Sequence, residues 1–67
     1  MIHVTVNGQA HRFDRPLELD ALLTALQLSG KKIAVERNGE IVPKSAHAHT
    51  LLADGDELEI VVAVGGG

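Results

Sequence analysis

The chain has 67 residues, of which 45% are hydrophobic, with no cysteine, one aromatic residue (Phe13) and a formal net charge of -3. This length accommodates one small domain with a core of Leu, Val and Ile, without disulfides or a thiolate metal site. The acidic balance and scarce aromatics argue against nucleic-acid binding, and no segment has the roughly 20 apolar residues of a membrane helix or the pattern of a signal peptide, so we expect a cytoplasmic protein.

The N-terminal segment predicts a β-hairpin. Ile2, Val4 and Val6 alternate with polar residues, which is typical of a half-buried strand. Asn7-Gly8 follows, the preferred pair for a type I′ turn, in which both central residues need positive φ. We expect the return strand over residues 9–13, with Phe13 directed at the core.

A single amphipathic helix comes next. Its apolar stripe has the spacing i, i+3, i+4 and i+7 that places side chains on one helix face; the stripe consists of Leu19, Leu22, Leu23 and Leu26. Glu18 occupies the expected N-cap position, and Asp20 lies in the first turn, where the helix dipole favours a negative charge. We expect Ser29-Gly30 to end the helix in a left-handed cap, with Leu28 folded back over the last turn.

The second half of the chain predicts three more strands. Residues 32–37 form the first, and a second Asn-Gly turn at residues 38–39 leads into a short strand over residues 40–42, which Pro43 ends. Residues 44–50 are expected to form a loop or a single helical turn. After a turn at residues 54–56, the last strand is expected over residues 57–64, apolar on both faces from Val61 onward and therefore central or partly covered.

This order of elements predicts an α+β fold. One amphipathic helix buries its stripe only against a sheet, so the economical arrangement is a β-grasp (ubiquitin-like) fold, a mixed four- to five-stranded sheet wrapped around one helix. In that arrangement the last strand is central and carries the C-terminus out of the sheet. We expect a domain over residues 1–64 and a flexible glycine tail over residues 65–67.

Few residues suggest chemistry inside the domain. His47 and His49 are two apart, but a metal site generally needs a third ligand, so solvated loop histidines are expected. Asp54 and Asp56 flank a glycine without the rest of a calcium loop, and Glu57 and Glu59 are expected to form an exposed acidic edge. No hydroxyl stands in a nucleophile context. We therefore expect neither a metal nor a catalytic residue, and a protein that is not an enzyme.

The tail Gly65-Gly66-Gly67 is the remaining candidate site. Glycine loses more backbone freedom on ordering than any other residue, so this run does not stabilise the domain before it. Without β-carbons it fits a narrow slot in another protein. A frayed terminus is the alternative interpretation of the tail on its own.

Several segments together resemble the ThiS-type sulfur carrier proteins of thiamine (thiazole) biosynthesis. The resemblance spans nearly the whole chain and is carried by an ordered set of segments, which are Val6-Asn7-Gly8, Leu22-Leu23, residues 33–44 (IAVERNGEIVPK), residues 52–56 (LADGD), residues 59–61 (EIV) and Val64-Gly65-Gly66-Gly67. One departure is Arg37, where many relatives carry an apolar residue.

The resemblance implies that the terminal carboxylate of Gly67 is the reacting group. A ThiF-type adenylyltransferase would use ATP to adenylate it, and a cysteine desulfurase or other donor would supply the sulfur of a C-terminal thiocarboxylate. A ThiG-type thiazole synthase would receive that sulfur, with Gly65, Gly66 and Gly67 inserted into each active site. The chain itself would bind no cofactor and be a monomer when free, and its partners would dock on the apolar, solvent-facing part of the sheet.

Three alternatives share parts of this pattern. A MoaD-type carrier of molybdopterin synthesis would use the same thiocarboxylate, although the short length and the Asn-Gly-Glu-Ile-Val-Pro stretch (residues 38–43) favour ThiS. A ubiquitin-like modifier would join Gly67 to a lysine amine after the same adenylation. A β-grasp interaction module would leave the tail unused.

Overall fold

The structure, a computed structural model, describes residues 1–63 of the chain. The strands β1 (Ile2–Val6) and β2 (Gln9–Phe13) form an antiparallel hairpin. Its turn residues Asn7 and Gly8 have φ of 50° and 81°, the two positive values of a type I′ turn. Phe13 packs against the core. The predicted bounds, the turn and the direction of Phe13 are confirmed.

The helix α1 (Leu19–Ala25) begins where the sequence predicts. Glu18 is the N-cap residue and makes no side-chain capping bond, and Asp20 lies in the first turn. Leu19, Leu22 and Leu23 are buried, and Leu26 packs against them partly buried. The predicted stripe therefore faces the core.

The predicted end of this helix at Ser29-Gly30 is wrong. The left-handed residue is Gln27, with a φ of 62°. The Gln27 N–H donates to the Thr24 carbonyl at 3.0 Å and the Leu28 N–H to the Leu23 carbonyl at 2.8 Å, the two bonds of a Schellman motif. Leu28 packs back on the core, as expected. Its burial requires the helix to turn back before the glycine, so tertiary packing outweighs the local preference for Gly30.

The strands β3 (Ile33–Arg37) and β4 (Glu40–Val42) form a second antiparallel hairpin around an Asn-Gly turn. β3 begins one residue later than predicted. The following segment is a 3₁₀ helix over Lys44–His49, longer than the expected loop or single turn. The hydroxyl of Thr50 donates to the Ala46 carbonyl at 2.7 Å and secures the C-terminal end of this helix.

The last strand, β5 (Glu57–Val62), lies in the middle of a five-stranded sheet with the order β2-β1-β5-β3-β4. It runs parallel to β1 and antiparallel to β3. Within residues 1–63, the mixed sheet, the single α-helix and the central position of β5 confirm the predicted β-grasp fold. The expected end of this strand at residue 64 lies outside the described residues.

The core lies between one face of the sheet and α1. Alternate residues of the strands point to it, as the period of two requires, and its buried members are Ile2, Val4, Val6, Leu19, Leu22, Leu23, Val35, Leu52, Leu58 and Ile60. Each fully buried aliphatic side chain of this size stabilises the fold by roughly 1.5–3 kcal/mol before entropy costs. The opposite face of the sheet, called here the outer face, is left to solvent.

Candidate functional site

The path of the chain toward its tail defines the candidate site. β5 crosses the middle of the sheet, and Ala63 is the last described residue. The Ala63 N–H donates to the Lys32 carbonyl at 2.8 Å, so the main chain is still bonded to the sheet one residue after β5 ends. The predicted tail residues Gly65, Gly66 and Gly67, and the domain boundary at residue 64, lie outside the described residues.

Two asparagine side chains hold β5 in place from opposite sides. The carboxamide of Asn7 accepts from the Ile60 N–H at 2.8 Å and donates to the Ile60 carbonyl at 3.0 Å. The Asn38 carboxamide accepts from the Glu57 N–H at 2.9 Å and donates to a carboxylate oxygen of Asp56 at 3.1 Å. Both Asn-Gly pairs therefore shape a turn and also position the strand that leads to the tail.

The Asp56 carboxylate ties the start of β5 to the β3–β4 turn. It is buried and accepts from the Ala53 N–H at 2.8 Å, from Arg37 Nε at 2.9 Å and from Asn38 at 3.1 Å. Burial acts to raise the pKa of Asp56, but these three hydrogen bonds and the guanidinium charge outweigh it, so the pKa lies below its ordinary value. Arg37, the departure from the family pattern, thus has a structural role.

The aspartates that flank Gly55 make hydrogen bonds within the domain. Asp54 accepts from the His3 N–H at 2.7 Å, a bond that together with the His3 ring holds the pKa of Asp54 below its usual value. Asp56 is likewise hydrogen-bonded within the domain. Both carboxylates therefore stabilise the turn at residues 54–56, as the sequence predicts. Among residues 1–63, no three His, Cys, Asp or Glu side chains group as metal ligands would.

The expectation of solvated histidines is wrong for His47. Its side chain is buried, and Nε2 lies 3.1 Å from the Val42 carbonyl. His49 is exposed. In the 3₁₀ helix the two rings do not share a face as they would in an extended segment, and this helix lies against α1.

The outer face of the sheet carries three exposed apolar side chains on β3, β4 and β5. We call Ala34, Ile41 and Val61 the outer patch. Ile41 is 74% exposed and Val61 65%, and Ala34 lies directly opposite Val61 in the β3–β5 ladder. The sequence predicts an apolar docking surface on the solvent-facing part of the sheet but does not identify its residues, because the face on which Ile41 lies depends on its pairing with Glu36.

Acidic side chains border the outer patch on the same face. Glu36 and Glu59 are paired across β3 and β5, and Glu57 follows two residues away along β5. Glu57 and Glu59 are exposed, as predicted, but they lie on the central strand and not at an edge of the sheet. Like charges directly opposite each other destabilise a sheet, so this pairing is not explained by stability.

A groove lies beside Ala63, the last described residue. Its volume is about 480 Å³, and Ala63 forms part of its wall. Leu23, Leu28 and Ile33 supply apolar surface, and three of the six basic residues of the chain, Lys31, Lys32 and Lys44, also line it. Asp20 is the one carboxylate among its lining residues within the described part of the chain, so the groove is net basic, while the middle of the outer face is acidic.

The ThiS family model matches residues 4–67, which is almost the whole chain and includes the glycine tail. The chain belongs to the ThiS family. The sulfur carrier protein ThiS of Bacillus subtilis is 48% identical over 46 residues, covering 69% of this chain and 70% of that one. The crystal structure of ThiS from Geobacter metallireducens superimposes with a TM-score of 0.83 at 35% identity, covering 98% of this chain and 100% of that chain.

A thiazole synthase is also among the relatives. The protein of that name from Paramagnetospirillum magneticum is 47% identical over 64 residues, which is 96% of this chain. The chain spans 20% of the length of that relative, and the same share of the thiazole synthase from Magnetococcus marinus, at 33% identity. A domain similar to this chain therefore occurs within larger proteins named thiazole synthase.

No helix within residues 1–63 has the length and hydrophobicity needed to cross a membrane.

Proposed function

We propose that this chain is a sulfur carrier for thiazole formation in thiamine biosynthesis, and that the α-carboxyl of Gly67 carries the sulfur. The observation that supports this most directly is the ThiS family match, which runs through residue 67 and so includes the tail. The role of the chain is that of a protein co-substrate on which partner enzymes act in the cytoplasm.

The proposed chemistry begins with a group that resists attack. A carboxylate is a poor acyl donor because its leaving group would be oxide. A ThiF-type adenylyltransferase would join the carboxylate to the AMP part of ATP and release pyrophosphate. The leaving group of the resulting acyl adenylate is AMP instead of oxide. The terminal sulfur of a desulfurase persulfide then displaces AMP, and a thiol cleaves the resulting acyl disulfide to leave the thiocarboxylate on Gly67.

The geometry of the domain suits this use of the tail. Main-chain bonding to the sheet extends to Ala63, so the tail starts from a fixed point on a central strand. The four residues that follow span at most about 14 Å when fully extended. The partner's reacting atoms must therefore lie within about that distance of the surface that contacts Ala63. Side chains on Gly65 or Gly66 would widen the segment that enters the partner.

A thiazole synthase is the proposed acceptor of the sulfur. The occurrence of a similar domain within proteins of that name supports this partnership. We propose that partners dock on the outer patch, since Ile41 and Val61 are its large exposed apolar side chains. The neighbouring glutamates favour a partner surface that carries Lys or Arg around an apolar centre.

The test is the intact mass of the chain after incubation with ATP, a ThiF-type adenylyltransferase, a cysteine desulfurase and cysteine. We expect a gain equal to exchanging one oxygen for one sulfur, located on the C-terminal peptide. A matched reaction without ATP should show no change. An unchanged mass with an adenylyltransferase that is active on its own carrier would refute the proposal. Covalent attachment of Gly67 to lysine amines would instead identify a protein modifier.

A further inference from the structure

β5 presents main-chain groups to both of its neighbours. Along a strand, the N–H and C=O groups of alternate residues point to opposite sides. Toward β3, the Glu57 carbonyl accepts from the Asn38 N–H at 2.8 Å, and the Ala63 N–H donates to Lys32. The β3 ladder therefore follows the whole of β5, from Arg37 opposite Leu58 to Ile33 opposite Val62.

The side of β5 that faces β1 is paired over a shorter length. The register of β1 with β5 ends at Val6 opposite Leu58, and the Leu58 carbonyl accepts from the Asn7 N–H at 2.9 Å. The chain then turns away at Asn7-Gly8. The Asn7 carboxamide takes the next place in the ladder, where it bonds both main-chain groups of Ile60.

Val62 is the following residue whose N–H and C=O point to this side. Within residues 1–63, no strand lies beside it there, since β1 has already turned away and the Asn7 side chain reaches only Ile60. Val62 is 42% exposed. We call this part of β5 the open edge. It differs from the outer edges of the sheet at β2 and β4, because it belongs to the central strand and immediately precedes the tail.

We propose that the open edge receives an extended main-chain segment of the thiazole synthase, which adds to β5 as a short strand. The partner segment must supply an acceptor for the Val62 N–H and a donor for the Val62 carbonyl, both on the same side of β5. Two residues earlier, the side-chain amide of Asn7 supplies both an acceptor and a donor to Ile60. A main-chain amide is the matching group at the next position, as in other cases of strand addition.

Strand addition here would orient the tail. A partner strand hydrogen-bonded to Val62 fixes the direction of β5 at its last residue, so the segment after Ala63 enters the partner from a defined angle. Strand addition thus deepens the proposed function and rests on it for the identity of the partner. Its test measures binding, which does not require sulfur transfer to occur.

The experiment compares Val62→Pro with Val62→Ala in binding to the purified thiazole synthase of the same organism. Both variants remove the β-branched side chain of valine, but only proline removes the N–H of the open edge. That N–H lies outside the β3 ladder, so the fold should tolerate the change as edge strands do. We expect Val62→Pro to bind about tenfold more weakly than Val62→Ala, the effect of losing roughly one well-made hydrogen bond.

Amide hydrogen exchange of the wild-type chain provides a second measurement that does not depend on a variant folding. We expect the Val62 amide to exchange rapidly in the free chain and to be protected in the complex. Equal binding by the two variants, or no protection of Val62 in the complex, would overturn strand addition. Protection that rises with the concentration of the chain alone would also overturn it, in favour of a second copy as the occupant. A wild-type chain that binds the synthase but gains no sulfur would contradict only the proposed function.

Discussion

The side-chain amide of Asn7 pairs with both main-chain groups of Ile60, 53 residues away in the sequence. A turn residue thereby acts as the last residue of the β1–β5 ladder. The parallel pairing of these strands is short, with Thr5 opposite Glu57 and Val6 opposite Leu58. The Asn7 carboxamide extends it by one step toward the tail, so on the side of β5 that faces β1 the last hydrogen bonds come from a single side chain.

Replacement of Asn7 by glycine should reveal the contribution of this amide. Glycine keeps the positive φ of the turn but removes both bonds to Ile60, so we expect the free energy of unfolding to fall by about 1–2 kcal/mol. Urea denaturation measures the change. Asn7→Asp retains an acceptor for the Ile60 N–H but places an oxygen against the Ile60 carbonyl, and should be at least as destabilising. Unchanged stability of Asn7→Gly would show that the amide contributes nothing.

Gln27→Gly should stabilise the chain. An L-residue in the left-handed region costs roughly 1–2 kcal/mol, part of which glycine returns through its greater freedom in the unfolded state, so we expect a net gain of about 0.5–1 kcal/mol. Gln27→Ala is the matched control, because alanine keeps the unfavourable φ and should give no gain. Thermal unfolding of the two variants provides the comparison. If Gln27→Ala raised the stability by the same amount, the left-handed backbone of residue 27 would not be the cause of the gain.

The Asp56 carboxylate should make stability depend on acidic pH. Its pKa in the folded chain lies below the ordinary value of 3.8, so the unfolded chain binds a proton more readily. Stability is therefore fully present above the unfolded pKa and is lost as the pH falls through the folded one.

We expect Asp56→Asn to remove this part of the pH dependence. At neutral pH it should also lower the free energy of unfolding by about 1–3 kcal/mol, because the hydrogen bonds to Arg37 and Asn38 lose their charged acceptor. Denaturation at several pH values measures both effects. The same substitution at the exposed Asp14 is the control. A pH profile identical to that of the wild type would contradict the assignment.

Most of the fold was predictable because its signals are local. The two Asn-Gly pairs set the hairpin turns, the leucine spacing set the helix face, and alternation set the strands. The misassigned features depend on contacts between distant parts of the chain. Gln27 is left-handed because Leu28 must reach the core, and His47 is buried because the 3₁₀ helix packs against α1.

The candidate site divides in the same way. A run of glycines is visible in the sequence itself, so the sequence alone identifies Gly65, Gly66 and Gly67 as candidate site residues. The residues of the outer patch cannot be predicted without the register of β4 against β3, since a shift of one residue would turn Ile41 to the other face. The open edge is not predictable from the sequence, because it depends on where β1 turns away from β5. The Asn7-Gly8 pair marks the turn but does not show that Val62 lies beyond it.

The outer patch should contribute to partner binding and little to stability. We expect Ile41→Thr to weaken binding to the thiazole synthase about tenfold, because a central apolar anchor of an interface contributes more than 1 kcal/mol. Threonine keeps the β-branched shape that strands favour, so the free energy of unfolding should change by less than about 0.5 kcal/mol. Leu51→Thr is the control, since Leu51 is 55% exposed and bridges to Glu18 at the start of α1. Equal effects of the two substitutions would argue against docking on the outer patch.

Addition of one alanine after Gly67 should abolish sulfur loading without affecting the fold. The extra residue moves the terminal carboxyl by about 3.5 Å and replaces the glycine carboxyl with that of a side-chain-bearing residue. The core and the bond from Ala63 to Lys32 are untouched, so we expect the melting temperature to remain the same. Intact mass after the loading reaction and a thermal melt test the two parts, with an alanine placed before Met1 as the control. An extended chain that still gains sulfur would show that Gly67 is not the acceptor, and a large fall in melting temperature would give the tail a structural role.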